Sequence, residues 1–226
     1  MTQSPLKVCM LHTIFMQMKN YVYVGIDPAT RKAFVVDPAW DIRKIEQCLE
    51  QENAVLDKVL LTHSHIDHVN LANQLAKKYN VPVYMSQEEI DYYKFRCANL
   101  QSFCDKEMIT VGTKNIRCLV TPGHTKGGAC YLVEEHAFTG DTLFIEGCGM
   151  CILPGGSASE MFYSVQRLKK EFTADTRIYP GHRYVDMPGQ TMEYVKEHNI
   201  YLAMNDKEHF IAFRNRKKIK GLLSFK

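Results

Sequence analysis

The stretch LLTHSHIDHVNL, Leu60 to Leu71, constrains this chain more than any other. Within six residues it places His63, His65, Asp67 and His68 directly after an apolar, β-branched run, AVLDKVLLT, which has the composition of a buried strand. One histidine on a surface loop is unremarkable, but four metal-ligating side chains packed this closely are not a polar accident. In extended chain His63 and His65 point the same way. Asp67 and His68 follow where the chain turns into the helical segment NLANQLAKKY. Two histidines can therefore address one ion, while Asp67 and His68 address a second beside it.

Three further candidate ligands lie at the ends of other β-rich runs: His124 in VTPGHTKGG, Asp141 in FTGDTLF and His182 in YPGHRY. Both of these histidines follow Pro-Gly, which predicts a sharp turn presenting the next side chain. The full set is His63, His65, Asp67, His68, His124, Asp141 and His182. Five imidazoles and two carboxylates suit zinc, with iron or manganese as alternatives. Asp37, in VVDP, is expected to turn the chain beside this site and to hydrogen-bond a ligand.

The rest of the chain alternates. VCMLHTIFM reads as a first strand, and NYVYVGID and KAFVVDP as a hairpin around PATR. DIRKIEQCLEQ has helical spacing with Asp41 as N-cap, and VPVYMS is a strand. IRCLVTPGHT, GACYLVEE and HAFTGDTLF follow as strands, SASEMFYSVQRLKKEF as a helix and RIYPGH as a strand. After His182 the texture is helical, with no further strand expected. This predicts an α/β catalytic unit over 1–183 and a short helical extension over 184–226. Asp91, Tyr92 and Tyr93 receive no assignment.

Composition removes several classes. With 226 residues and 46% hydrophobic content the chain can bury one sizeable core. A net charge of +3 does not point to nucleic acid, and no apolar run is long enough for a membrane span. The eight cysteines are scattered, and no export signal is read, so reduced thiols and a cytoplasmic location are expected. Cys148 and Cys151 have C-x-x-C spacing but no second pair for a zinc ribbon, and they read as ordinary thiols. His12, His136, His198 and His209 are not expected to be ligands, and Gly127-Gly128 is expected to permit close chain approach.

The motifs THSHIDH, TPGHT, TGDTLF and PGH, in this order, resemble those of the metallo-β-lactamase fold, and in detail its glyoxalase II branch. The likeness spans roughly residues 7 to 184, and the whole chain is also similar to zinc-dependent hydrolases of bacillaene-type polyketide pathways. The resemblance implies a four-layer αβ/βα sandwich with a short C-terminal helical extension. It implies one ion on His63, His65 and His124, a second on Asp67, His68 and His182, and Asp141 between them. Two ions ~3.5–4 Å apart lower the pKa of a bridging water, and Asp67 is the expected catalytic residue that orients it and carries its proton. GxSxG is absent, so no serine nucleophile is expected.

That branch cleaves thioesters, whose thiolate leaves without a strong general acid. The chain departs from it at Met150 and Ile152, where the family uses a basic and an aromatic residue to hold glutathione. Tyr184, Arg214 and Arg216 are the remaining candidate substrate contacts. The expected substrate is an acyl thioester on an acyl carrier protein, with no membrane or nucleic-acid partner and a monomeric chain. Arg214, Arg216, Lys217, Lys218 and Lys220 form a basic run that is either a solvated face or a dock for the carrier. The alternatives are a glutathione thioesterase, a mononuclear-iron persulfide dioxygenase and a non-catalytic metal-stabilised module. The last fits poorly, because structural zinc sites are four-coordinate and cysteine-rich.

Overall fold

The computed structural model describes residues 4–216. Its first half contains strands β1 (Lys7–Phe15), β2 (Met18–Ile26), β3 (Lys32–Val36), β4 (Val55–Leu60), β5 (Val83–Ser86) and β6 (Leu100–Phe103). Helices α1 (Ile42–Gln51), α2 (Ile66–Val69), α3 (Ala72–Tyr79) and α4 (Gln87–Tyr93) lie between them. The second half adds β7 (Met108–Val111), β8 (Lys114–Val120), β9 (Ala129–Val133), β10 (His136–Gly140), α5 (Ala158–Glu171) and β11 (Arg177–Pro180). It ends with β12 (Gln190–Thr191), α6 (Met192–His198), α7 (Ile200–Ala203) and α8 (Lys207–Asn215).

The strands form two six-stranded mixed sheets, ordered β1-β2-β3-β4-β5-β6 and β12-β11-β10-β9-β8-β7. Strand alternation builds the layers. Along β2, Val22 and Val24 face a core shared with Ile45 of α1 and Leu75 of α3. Tyr21 and Tyr23 face the other way, into a core between the sheets with Phe34, Leu60, Ile116, Tyr131, Phe138 and Tyr179. In the second sheet Leu119 and Ala137 pack outward against Met161 and Val165 of α5 and against Val195, Leu202 and Phe210 of the last helices. Helices, sheet, sheet, helices is the expected four-layer sandwich.

Local signals account for the helix starts. Asp41 caps α1 by accepting from Arg43 N, as expected, and Ser157 caps α5 through Glu160 N. One detail differs from expectation. The segment after His182 does contain a strand: β12 pairs antiparallel with β11, Arg177 opposite Thr191. Two residues are too short for a period-2 pattern, so the pairing shows only in the fold. Gly181, in the Pro-Gly turn before His182, does not have a positive φ. A Cβ there would strike the His68 ring and Asp141 Oδ1, so the position needs glycine for space. Gly123, in the Pro-Gly turn before His124, has a positive φ of 140° that favours glycine.

All eight cysteines are free, and both Cys148 and Cys151 are buried, in keeping with ordinary thiols. Among the described residues no helix is long and apolar enough to cross a membrane.

Candidate metal centre

The seven expected ligands converge where the C-terminal ends of β4, β8, β10 and β11 meet along one edge of the sandwich. His63, His65 and His124 each offer a ring nitrogen to one group, and Asp67, His68 and His182 form another, with the offered atoms of each group within 4.8 Å of one another. Asp141 lies between the groups. Its Oδ1 is 3.5 Å from His68 Nε2, and its Oδ2 is 3.6 Å from His124 Nε2 and 3.4 Å from His182 Nε2.

The hydrogen-bond network assigns the tautomers. His68 Nδ1 donates to Asp37 Oδ2 at 2.8 Å. The Thr62 hydroxyl donates to the same oxygen at 2.6 Å and accepts from His63 Nδ1 at 3.0 Å. Thr62 N also donates to Asp37 Oδ1 at 2.7 Å. His124 Nδ1 donates to the Met150 carbonyl, and His182 Nδ1 to the Lys19 carbonyl. In all four rings Nδ1 is held by an outer partner, and Nε2 is the nitrogen turned to the centre. His65 presents its Nδ1 instead, 3.0 Å from His124 Nε2.

This donor set fits a metal. His63 Nε2, His68 Nε2 and Asp141 Oδ1 are buried with no hydrogen-bond partner, and natural interiors rarely leave such atoms unpaired. Burial, reinforced by the neighbouring rings, holds His63 well below the usual imidazole range and takes His65 down to about 4, so both are neutral, as ligands must be. Burial also works against a charge on His68 and His182, but the carboxylates outweigh it. Asp141 and Asp37 raise His68, and Asp141 and Asp67 raise His182 to about 11. Asp141 itself is held at about 2, burial being outweighed by His68 and His182.

Three residues without an expected role organise the site. Asn20 on β2 donates to the Asp67 carbonyl at 2.9 Å and to Asp67 Oδ2 at 3.1 Å. Trp40 Nε1 orients that amide by donating to Asn20 Oδ1 at 2.9 Å. Glu89 on α4 is fully buried and ties two ligand loops together. Its Oε1 accepts Ser64 N and Ser64 Oγ, each at 2.8 Å, and its Oε2 accepts Gly127 N at 2.8 Å. A Cβ on Gly127 would collide with the Glu89 backbone, so the glycine admits this approach, as expected of the Gly127-Gly128 pair. Ser86-Gln87-Glu88-Glu89 does carry a signal, since S-x-x-E reads as a capping box. Ser86 Oγ makes its half by accepting Glu89 N, but the glutamate turns to the ligand loops.

The candidate substrate residues are placed differently. Tyr184 is exposed and packs edge-on against Phe144, whose ring also neighbours His182. Arg214 is half-buried and donates to Tyr201 Oη at 3.1 Å. Arg216 is exposed, its guanidinium 3.5 Å over the Phe213 ring. Lys217, Lys218 and Lys220 lie outside the described residues. Met150, Ile152 and Leu153 are exposed, and the Met150 carbonyl bonds His124.

A two-sheet sandwich carrying a histidine and aspartate centre at one edge defines a class of metal-dependent proteins. The chain belongs to the metallo-beta-lactamase superfamily: residues 18–107 match the family of that description, and full-length relatives extend the match. It is 49% identical over 220 residues to the Bacillus subtilis protein named "Probable polyketide biosynthesis zinc-dependent hydrolase PksB", covering 97% of this chain and 98% of that one. Identity to the like-named BaeB of Bacillus velezensis is 47%, with the same coverage. A hydroxyacylglutathione hydrolase of Pseudoalteromonas translucida is 36% identical over 166 residues, 73% of this chain but 61% of that one. Among solved structures, ETHE1 from Myxococcus xanthus superimposes with a TM-score of 0.82 at 28% identity, covering 93% of this chain and 92% of that one.

Proposed function

We propose that this protein is a binuclear zinc hydrolase that cleaves acyl thioesters carried on the arm of an acyl carrier protein in polyketide biosynthesis. The observation that carries the reading is the set of four Nδ1-anchored histidines whose Nε2 atoms, with His65, Asp67 and Asp141, converge on one small volume. His63, His65 and His124 would hold one ion, Asp67, His68 and His182 the other, and Asp141 both. Bound there, the ions supply a water of lowered pKa and a Lewis acid for the carbonyl. Asp67 Oδ2, held by Asn20, is oriented to accept the proton of the attacking water. The departing thiolate is stable enough to leave without a protonated side chain at the scissile bond.

The carrier handle is supported by two things: the names of the full-length relatives, and the exposed aliphatic side chains of Met150 and Ile152 where the resemblance to glyoxalase II implies a basic and an aromatic residue. The chain also spans only 61% of the hydroxyacylglutathione hydrolase it resembles. The test is hydrolysis of one acyl group on carrier protein, coenzyme A and glutathione, compared by kcat/KM. Carrier protein is expected to rank first. Glutathione ranking first would replace this reading with the glutathione thioesterase, and an iron-dependent oxidation of persulfide without thioester cleavage would replace both.

A further inference from the structure

The β1–β2 hairpin ends beside the metal centre and displays side chains that its own folding does not need. Phe15 and Met18 pair across a two-residue turn, Met16-Gln17. Met16 has φ 53°, a left-handed backbone that such turns reserve for glycine or asparagine, and its side chain is 82% exposed. Ile14, Phe15 and Met18 beside it are also exposed, and Phe15 stacks on Trp40 with ring centroids 4.7 Å apart. A sheet edge that carries large apolar groups in water is a liability unless something covers it.

Cations frame this tip. Lys19 is the next residue after Met18, and Lys44 reaches over from α1 to donate to the His12 carbonyl on β1. Arg183 follows His182, whose Nδ1 donates to the Lys19 carbonyl. None of the three is in an ion pair among the described residues. Of the other cations in the same half, Lys7, Lys32, Lys58 and Lys78 are paired with Glu52, Asp57, Asp57 and Glu46, while Arg31, Lys77, Lys94 and Arg96 are not in ion pairs among the described residues. The hairpin is also tied directly to the chemistry, because Asn20, two residues after Met18, holds Asp67.

We infer that the tip of the β1–β2 hairpin, Phe15, Met16 and Met18 with Lys19 and Lys44, is the docking surface for an acidic carrier protein that presents its thioester arm to the metal centre. This rests on the carrier-thioester reading above. Apolar side chains provide the buried anchor and the unpaired cations the complementary charge, which acts mainly on encounter. The short path from Lys19 through His182 and from Asn20 to Asp67 places a docked partner at the mouth of the site. The described part of the basic C-terminal run is less suited, since Arg214 is engaged with Tyr201.

The test compares wild type with the double variant Met16→Asp, Lys44→Glu on two substrates: an acyl carrier-protein thioester and the same acyl group on uncharged pantetheine. None of these side chains touches a ligand. On the carrier substrate kcat/KM is expected to fall at least about tenfold, through KM, with a loss that shrinks as salt rises. On pantetheine it should be unchanged, which also shows that the variant folds and holds metal. Equal activity of variant and wild type on the carrier substrate overturns the dock while leaving the thioesterase intact, and so does an equal loss on both substrates. A wild type that cleaves pantetheine thioesters with no preference for the carrier overturns the carrier reading and the dock together. A wild-type dimer that the variant dissolves, with carrier activity retained, assigns the tip to a second copy of this chain and overturns the proposal.

Discussion

Gly127 donates its backbone N–H to Glu89 Oε2 at 2.8 Å, and through that bond the loop bearing His124 is fastened to the carboxylate that also holds the loop of His63 and His65. A carboxylate only accepts, and all three of its partners here donate. In Glu89→Gln the amide nitrogen must face either Gly127 N or Ser64, donor against donor. The His63, His65 and His124 group should lose affinity for zinc by roughly 10–100-fold, the usual effect of a lost outer partner, while Asp67, His68 and His182 keep theirs. Zinc titration against a competing chelator separates the two sites. Normal binding at both would remove Glu89 from this role.

Asp37 fixes two tautomers at once, His68 directly and His63 through Thr62. In Asp37→Asn one position becomes a donor. The low-energy answer is for His68 to accept on Nδ1, which moves its proton to Nε2 and blocks that nitrogen for metal. Zinc affinity should drop at the His68 group first, with the fold's thermal midpoint in chelator little changed. Nitrogen-resolved NMR of the metal-free variant should find the exchanged tautomer, and an unchanged His68 tautomer would contradict the assignment.

Elemental analysis of metal-replete protein should give about two divalent ions per chain, the stoichiometry that two adjacent ligand groups around Asp141 allow. His68→Ala removes one nitrogen from the second group only and should lower the count towards one. Because His182 and His68 are raised by their carboxylates, loading the second group must release protons, so its affinity should fall as pH is lowered. A single ion in the wild type would reject the binuclear arrangement.

Asp27 joins the two sheets at the end far from any ligand motif. It accepts Ala29 N and Thr30 Oγ1 in the β2–β3 turn, and Thr113 N and Oγ1 from the β7–β8 turn of the other sheet. Asp27→Ala strands these donors and should cost ~1–3 kcal/mol at neutral pH by urea denaturation. Burial alone would raise this carboxyl, but the Thr113 and Thr30 donors hold it below the usual range. Its contribution is therefore complete above the unfolded value near ~3.9 and fades as pH falls through the lower folded one. Wild type and variant should converge in stability at strongly acidic pH, and a constant gap would argue against the carboxylate as the cause.

The sequence by itself determined the inventory of candidate ligands, because His63, His65, Asp67 and His68 are local, and because His124, Asp141 and His182 each follow a legible strand. It also determined most strands and helices, since side chains on β2, β3 and β4 alternate between two cores and so carry a period of two. Only the tertiary structure decided what those ligands could do. Residues 63, 124, 141 and 182 meet because two separate sheets pack face to face, a fact with no trace in any one segment. The proton positions depend on Asp37, Met150 and Lys19, whose partners are distant in sequence. Glu89 looked like half of a capping box, and Gly181 like a turn residue. Their actual roles come from what lies opposite them in space, Ser64 and Gly127 for one, His68 and Asp141 for the other. Local propensity fixes the elements, while hydrogen-bond direction and free space at the site are properties of elements brought together.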